Sequence, residues 1–464
     1  MKTADRTEHA TEPLPAQRSG HRLDLAAAGA GLLLVAVAAV VGTAIENADH
    51  TLYVHWPPLL ASWYPHIGPG TWAAPVVAVA VIAYGPVLAD RLRWRPLLLG
   101  CYATALAWVF SLALIDGWGR GIAERLTTKH EYLRVIGRFD DIGAALRGFN
   151  DHILIGPPGN WPAHVAGHPP GATLTFVLLD RIGLGGGGWA GVWCIATGAS
   201  AAVAVLITVR ALAGEHLARR AAPFLVLAPV AVWAGTSADG YFTAVAAWSI
   251  ALLALAATRT VRAPAAAALG AGLLYGLTCY LSYGLVLIAL PLLAVLVVGR
   301  TARPLPLFVA GALVAPAAFT LAGFEWWEAY RILVERYHQG AGGFRPYSYW
   351  VWGNLACTAI AVGPATLAGL RRAGAGAPGA LRTLRTGPTA GPQALVLLVS
   401  AALLALLAAD VSGMSKAETE RIWQPFMLWL LPAAALLPAP GRRGWQAAQA
   451  AVALAVNHLL WTGW

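Results

Sequence analysis

Five acidic and histidine residues in two neighbouring stretches are the residues of this chain most able to do chemistry. "TTKHEYLRVIGRFDDIGAAL" contains Glu131, Asp140 and Asp141, and "NWPAHVAGHPPG" contains His164 and His168. A carboxylate can act as a general base or hold a divalent cation. An imidazole can donate a hydrogen bond to an anionic oxygen, relay protons or bind metal. The two stretches are therefore candidates for one active site.

Three later stretches add basic, acidic and aromatic residues to these candidates: Asp239 in "TSADGYF", Arg345 and Tyr347 in "FRPYSYW", and Lys416, Glu418, Glu420 and Arg421 in "SKAETERIWQPF". Guanidinium and ammonium groups bind phosphate, and aromatic faces suit a sugar ring. A helix through the last stretch would bring Lys416 and Glu420 onto one face. The combination indicates a site for a phosphate and a sugar.

Each of these patterns also has a structural interpretation. Asp140 or Asp141 can cap a short amphipathic surface helix, and Asp239 can cap the helix that follows it. Prolines 169 and 170 suit the first turn of a helix that only dips into the membrane. Aromatic residues commonly anchor a protein at the membrane surface, and loop charges are commonly solvated. These alternatives remain open at the level of sequence.

The elements that position the candidates are predicted to be membrane helices. The chain is 58% hydrophobic and 12% charged, whereas about 25% charged is typical of soluble domains. Apolar windows of spanning length predict an all-α polytopic membrane protein with about thirteen spans, near 25–45, 71–89, 97–115, 190–210, 222–236, 241–258, 264–281, 284–299, 305–322, 350–369, 393–409, 424–439 and 445–462. The net charge of +10 then reflects topology and contact with membrane lipids rather than binding of nucleic acid.

Basic residues in the short connections predict the orientation of the spans. Arginines cluster in alternate connections, which places the N-terminus in the cytoplasm and all candidate residues outside. We expect a basic cytoplasmic tail at 1–24 and a single transmembrane domain at 25–464. That domain would include an external loop at 116–189 and a flexible Gly/Pro/Ala linker at 371–392 on the cytoplasmic side. The location expected is the plasma membrane.

The "HVAGHPPG" element, the "TSAD" turn, the "SKAETERIWQPF" loop and the long acidic outer loop together resemble a known family. They are similar to actinobacterial integral membrane proteins of glycosyltransferase class C, in particular the branch related to the methylthioxylose transferase of lipoarabinomannan. The resemblance runs from about 117 to 430. One departure is that class C enzymes often carry an acidic motif in the first external loop, where this chain has only Glu46 and Asp49.

The resemblance implies transfer of a sugar from a polyprenyl-phosphate donor, with inversion, to a cell-envelope glycan or lipid acceptor. The implied base is one carboxylate among Glu131, Asp140 and Asp141. The implied donor-phosphate ligands are Arg421, Lys416, Arg345, His168 and His164. The implied substrate contacts are Asp239, Tyr347, Glu418 and Glu420. No cofactor follows from it, and a divalent cation remains an alternative.

Two other classes of protein remain open. A transporter or lipid flippase would be expected to carry polar residues near the bilayer midplane and a repeat that relates its halves. In this chain the charges crowd one rim, and polar residues within the spans, such as Asn354 and Asn457, are sparse. A noncatalytic assembly or sensor protein would share the fold without a closed pocket.

Overall fold

The computed structural model describes residues 15–463, which fold mainly into α-helix. In chain order the helices of this part are α1 Pro15–Asp49, α2 Gly70–Arg91, α3 Trp94–Ala113, α4 Ile142–Arg147, α5 Ala163–Gly167, α6 Pro170–Arg181, α7 Gly187–Ala213, α8 Glu215–Val226, α9 Ala238–Thr258, α10 Pro264–Leu281, α11 Ala289–Val298, α12 Leu305–Ala312, α13 Val314–Leu321, α14 Trp326–Gln339, α15 Ala341–Phe344, α16 Tyr347–Thr386, α17 Gly391–Val411, α18 Thr419–Ile422, α19 Gln424–Met427 and α20 Arg442–Leu459. Short 3-10 turns and a π-helical turn lie between several of them.

Eight helices of the described chain are long and apolar enough to cross a membrane, namely α1, α2, α3, α7, α9, α10, α16 and α17. A ninth span is possible if α12–α13 and α14, which are bent by 78° at their junction, are counted as one. The predicted all-α polytopic membrane fold is therefore confirmed.

The count of thirteen spans is not confirmed. The expected spans at 222–236 and 424–439 are broken into short helices and 3-10 turns. The expected span at 445–462 corresponds to α20, which is 18 residues long and much less apolar than the spanning helices. The apolar windows were correct in composition, but hydrophobicity alone does not reveal where a buried segment is interrupted.

The ends of two helices correct the predicted tail and linker. Residues 1–14 of the tail lie outside the described residues, and the rest of it belongs to α1. The segment 371–392 is not a flexible linker, because α16 continues through it as far as Thr386. Its alanine, leucine and arginine residues favour helix strongly enough to outweigh its glycines and Pro378.

A small sheet lies at one end of the bundle. Strand β1 (Ala61–Trp63) pairs antiparallel with strand β2 (Leu460–Thr462). Arg120 and Arg125 donate to the carbonyls of Thr462 and Gly463, at 2.9 and 2.7 Å. These contacts fix the last described residues to the segment that follows α3.

Helix α16 is kinked at Gly363, whose φ of 76° favours glycine. The kink disturbs backbone hydrogen bonding inside a membrane helix, where unpaired groups are costly. Gln449 of α20 compensates for it: its Nε2 donates to the carbonyl of Val362 at 2.9 Å, and its Oε1 accepts from the amide of Ala365 at 3.2 Å. A side chain from another helix thus repairs the break.

Helix α9 lies at the centre of the bundle, with 78% of its most apolar window buried. It packs against α7, α10, α11 and α19. Alanine predominates on its buried face, which allows neighbouring helices to approach closely. Its first turn carries Asp239 and therefore positions that carboxylate at one end of the core.

Candidate active site

Asp239 lies in the first turn of α9, where a carboxylate is favoured by the helix dipole. Ser237, not Asp239, caps the helix: its hydroxyl oxygen accepts from the Asp239 amide at 3.1 Å and its hydroxyl donates to Asp239 Oδ2 at 2.9 Å. Asp239 is 3% exposed and forms an ion pair with Arg421. Its carboxylate is therefore part of a buried ionic cluster rather than a cap.

Arg421 holds two carboxylates together. Besides its pair with Asp239, its Nη2 lies 3.1 Å from Glu418 Oε2. Burial disfavours the charged guanidinium, but Asp239 and Glu418 outweigh that effect and keep the pKa of Arg421 above its ordinary value. Arg421 is fully charged and fixed in position.

The loop that carries Arg421 differs from the prediction. A helix was expected to place Lys416 and Glu420 on one face, but Ala417 and Glu418 have φ values of 69° and 61°, and α18 begins only at Thr419. Left-handed residues interrupt a right-handed helix. The turn instead lets Glu418 fold back onto Arg421.

Glu131 and His164 form a second pair in the same cluster. His164 Nδ1 lies 2.8 Å from Glu131 Oε1, and Glu131 is 1% exposed. An ionised carboxylate has no proton to donate and therefore acts only as an acceptor. In this pairing the proton is on Nδ1 of His164. Among the described residues, Glu131 Oε2 has no hydrogen-bond partner. The Glu131 carboxylate lies within electrostatic range of Arg421 and helps to raise the pKa of that guanidinium, so the two pairs are treated as one candidate site.

His168 lies beside this pair, but its hydrogen bonds differ from the prediction. Its Nδ1 lies 2.7 Å from the carbonyl of His164 and 3.1 Å from the hydroxyl of Tyr132. Because a carbonyl only accepts, Nδ1 carries the proton. Burial lowers the pKa of His168 to about 4, so at neutral pH Nε2 has no proton to donate. The expected donation to a phosphate is therefore not supported, and the contacts of His168 suit a positioning role.

Asp140 and Asp141 lie apart from the cluster, contrary to the expectation that either serves as the base. An eight-residue 3-10 helix, Tyr132–Phe139, separates them from Glu131, a distance of roughly 16 Å at the usual rise of such a helix. Asp141 Oδ1 accepts from the amide of Ala144 at 2.9 Å as the N-cap of α4. Both aspartates are exposed, and the capping interpretation applies to Asp141.

Arg345 and Lys416 hold backbone rather than an open phosphate site. Arg345 donates through Nε to the carbonyl of Leu52 at 3.0 Å and through Nη1 to that of Lys416 at 2.7 Å, with Glu418 Oε1 3.6 Å away. Lys416 Nζ donates to the carbonyl of Gly342 at 2.8 Å. The role of both residues as donor-phosphate ligands stays a prediction, and Arg345 adds positive charge next to Glu418.

Glu420 and Tyr347 lie outside the centre of the cluster. Glu420 is completely buried and its Oε1 accepts from the amide of Leu60 at 3.3 Å. Burial raises the pKa of Glu420 to about 7. Tyr347 is 42% exposed and donates to the carbonyl of Val411 at 3.2 Å. The expected substrate contacts of Glu420 and Tyr347 stay predictions.

Two site residues were missed from the sequence. Tyr132 is 2% exposed, stacks on Phe176 and lies beside His168. His130 accepts through its carbonyl from the amide of His164 at 3.0 Å, and burial lowers the pKa of its ring. Both flank Glu131 in "KHEYL", so adjacency to the best carboxylate was the available signal. Within residues 15–463, no group of three or more His, Cys, Asp or Glu is placed to hold a metal ion.

Comparison with known proteins yields only distant structural likeness. No family model and no curated protein matches the chain. Similar solved structures include the oligosaccharyltransferase of Archaeoglobus fulgidus in the apo form, with 13% identity, a TM-score of 0.47 and coverage of 80% of this chain and 56% of that one. The same enzyme in complex with zinc and sulfate has 15% identity and a TM-score of 0.44, and the match covers 77% of this chain and 53% of that one. This chain spans about half the length of those structures.

Proposed function

We propose that the protein is a membrane glycosyltransferase, which transfers a sugar from a polyprenyl-phosphate donor to a cell-envelope glycan or lipid acceptor. The observation that carries the proposal is the state of Glu131. Its carboxylate is buried, one oxygen is held by His164, and the other has no partner among the described residues. Leaving a buried acceptor unpaired is costly, and such groups concentrate where a substrate completes the hydrogen bonding.

Glu131 acts as the general base in this proposal. Its Oε2 takes the proton of the acceptor hydroxyl while the hydroxyl oxygen attacks the anomeric carbon of the donor sugar. The bond between that carbon and the lipid phosphate oxygen breaks with its electron pair on the phosphate. A single displacement of this kind inverts the anomeric configuration. His164 keeps the carboxylate oriented throughout.

Arg421 stabilises the departing phosphate in this proposal. Negative charge increases on the leaving oxygen, and a fixed guanidinium in a water-poor site attracts it more strongly than one in solvent. Asp239 and Glu418 hold the guanidinium in place, so no reorganisation is needed when the charge develops. The polyprenyl chain of the donor would lie between membrane helices, with the phosphate and sugar at the cluster.

The location of the site suits a substrate that resides in the membrane. Asp239 lies at one end of the membrane-length helix α9, and Arg421 precedes the short apolar helix α19. Arginines concentrate at the opposite ends of the spans, at positions such as Arg91, Arg210 and Arg259. By the positive-inside rule the cluster then faces the outside of the plasma membrane, where envelope glycans are assembled.

The test is transfer by purified full-length protein, offered a panel of polyprenyl-phosphate sugars and envelope glycan acceptors, with divalent cations and with a chelator. We expect turnover with at least one pair. Glu131→Gln should lower it by about 100-fold or more, while Asp141→Asn, which changes an exposed capping carboxylate, should leave it unchanged.

Donor binding and thermal melting separate loss of chemistry from loss of folding, because Glu131→Gln should preserve both. Normal transfer by Glu131→Gln would refute the role of this carboxylate. No transfer by the wild type with any donor, together with movement of lipid or solute across liposomes, would instead favour a transporter.

A further inference from the structure

A cavity of about 620 Å³ lies at the end of α9 remote from Asp239. Helix α9 has 21 residues, so at 1.5 Å per residue this end is about 31 Å from the candidate active site. Arg259, Arg300 and Arg303 line the cavity, together with small apolar residues and prolines at the starts of α10 and α12. The cavity is thus at the membrane boundary opposite the acidic cluster.

All the charged side chains that line the cavity in the described chain are arginines. The sequence from 240 to 324 contains four arginines and neither aspartate nor glutamate. Arg300 Nη1 donates to the carbonyls of Leu384 and Gly387, at 3.0 and 3.2 Å. In the described part of the chain, no carboxylate pairs with Arg259 or Arg303, which are both exposed. Guanidinium groups clustered without acids are suited to bind a phosphate.

Arg259 and Arg300 occupy backbone positions that favour glycine. Each follows the C-terminus of a helix, and their φ values are 54° and 48°. A residue other than glycine in this left-handed conformation costs about 1 kcal/mol. The conformation does not explain arginine at either position, whereas a need for positive charge at the cavity does.

An apolar surface continues from the cavity along the membrane. Helices α10 and α12 are in close contact at Gly272. A Cβ added to Gly272 would lie only 1.9 Å from the carbonyl oxygen of Phe308, so a larger residue would not fit there. Their exposed side chains beside the cavity are aliphatic, with Leu269 at 39%, Leu307 at 41% and Val309 at 43% exposed. Acyl chains suit this surface, whereas a soluble anion would use only the arginines.

We infer that this cavity binds the phosphate headgroup of an anionic phospholipid, in the leaflet opposite the candidate active site. The lipid phosphate contacts Arg259, Arg300 and Arg303, and its acyl chains lie against α10 and α12. Basic pockets between membrane helices recognise anionic headgroups in this way. The inference does not depend on the proposed glycosyltransferase activity.

The test compares lipid binding by two charge-matched double variants of the full chain in detergent. Arg259→Gln with Arg303→Gln removes two cavity charges and leaves Arg300, whose backbone contacts support the fold. Arg93→Gln with Arg95→Gln removes two exposed charges at the start of α3. The start of α3 is at the same end of the bundle as the cavity, since Arg210 in the last turn of α7 stacks on Trp94.

Binding is measured by native mass spectrometry with phosphatidylglycerol, phosphatidylcholine, glycerol 1-phosphate and inorganic phosphate. We expect the wild type to prefer phosphatidylglycerol and the cavity variant to lose about 30-fold in affinity for it, at about fivefold per arginine. The control variant should keep the preference.

Three results would overturn the inference. Equal losses in both variants would show general surface attraction, and no loss in either would show that the cavity is not the site. Equal affinity for phosphatidylglycerol and glycerol 1-phosphate would assign the cavity to a soluble phosphate instead. Thermal melting of both variants in the absence of lipid checks that folding is retained.

Discussion

Two buried ionic clusters lie at opposite ends of this bundle and are built differently. At one end, which is the inner end in the proposed topology, Asp24 of α1 is completely buried between Arg371 and Arg372 of α16. Its Oδ1 accepts from both arginines and its Oδ2 accepts twice from Arg372, at distances from 2.6 to 3.0 Å. At the other end, which is the outer end in that topology, Glu131 has one oxygen bonded to His164 and one without a partner in the described chain.

The difference separates a structural ion pair from a candidate active site. The inner carboxylate has its hydrogen-bonding capacity filled by two guanidinium groups, and its effect is to hold α1 against α16. The outer cluster contains three carboxylates, Glu131, Asp239 and Glu418, with two arginines, and keeps an acceptor available. Burial alone does not distinguish the clusters, because both are buried. What distinguishes them is Oε2 of Glu131, an acceptor without a hydrogen-bond partner among the described residues.

The largest expected effect is on turnover in the outer cluster. Arg421→Lys keeps one positive charge but cannot bridge Asp239 and Glu418 with two nitrogens in a fixed plane. We expect transfer to fall roughly 100-fold or more, with donor binding less affected. Single-turnover and steady-state measurements on purified protein would show it, and a variant with unchanged turnover would remove Arg421 from the proposed mechanism.

The next effect is on stability in the inner cluster. Asp24→Asn leaves Arg371 and Arg372 without their carboxylate, which should cost about 3 kcal/mol of unfolding free energy, near the lower end for buried pairs because both arginines are partly exposed. Turnover per folded molecule should not change. Denaturation of the variant in detergent measures the unfolding free energy, and activity divided by the amount of folded protein measures the turnover per folded molecule. A large fall in scaled activity would contradict the separation of the two clusters.

The smallest effect concerns pH at the outer cluster. The pKa of His168 is about 4 in the folded protein and about 6.5 when unfolded, so acid favours the unfolded state, which binds the proton more readily. Stability should therefore be full above pH 6.5 and fall as the pH drops towards 4, by about 2 kcal/mol between pH 7 and pH 5. Thermal melting of the wild type and of His168→Gln between pH 7 and pH 5 measures this contribution of His168 to stability. Parallel pH profiles for the two proteins would contradict the prediction.

Much of the membrane architecture could be predicted from the sequence. The apolar windows at 190–210 and 241–258 correspond to α7 and α9, because long hydrophobic stretches have few alternatives in a bilayer. The start of α6 at Pro170 was also predicted. The prediction of a flexible linker at 371–392 was wrong. Its Gly/Pro/Ala composition is typical of a loop, but its helix propensity is sufficient to continue α16 as far as Thr386.

The site was only partly predictable, for physical reasons. Glu131 and His164 were both candidates, but an N-capping aspartate such as Asp141 has the same local signature as a catalytic one. The pairing of Asp239 with Arg421 joins residues 182 positions apart, and no local pattern encodes it. Tyr132 was missed because a tyrosine beside an acid is indistinguishable from an interfacial anchor until its packing is known.

The repair of the α16 kink by Gln449 has a consequence for the order of biosynthesis. Helix α16 is made well before α20, so Val362 and Ala365 lack the contacts that Gln449 provides until α20 is synthesised. Backbone groups left unpaired in lipid cost several kcal/mol. The nascent protein therefore passes through a stage at which the backbone at the α16 kink lacks these partners, and synthesis of α20 ends that stage.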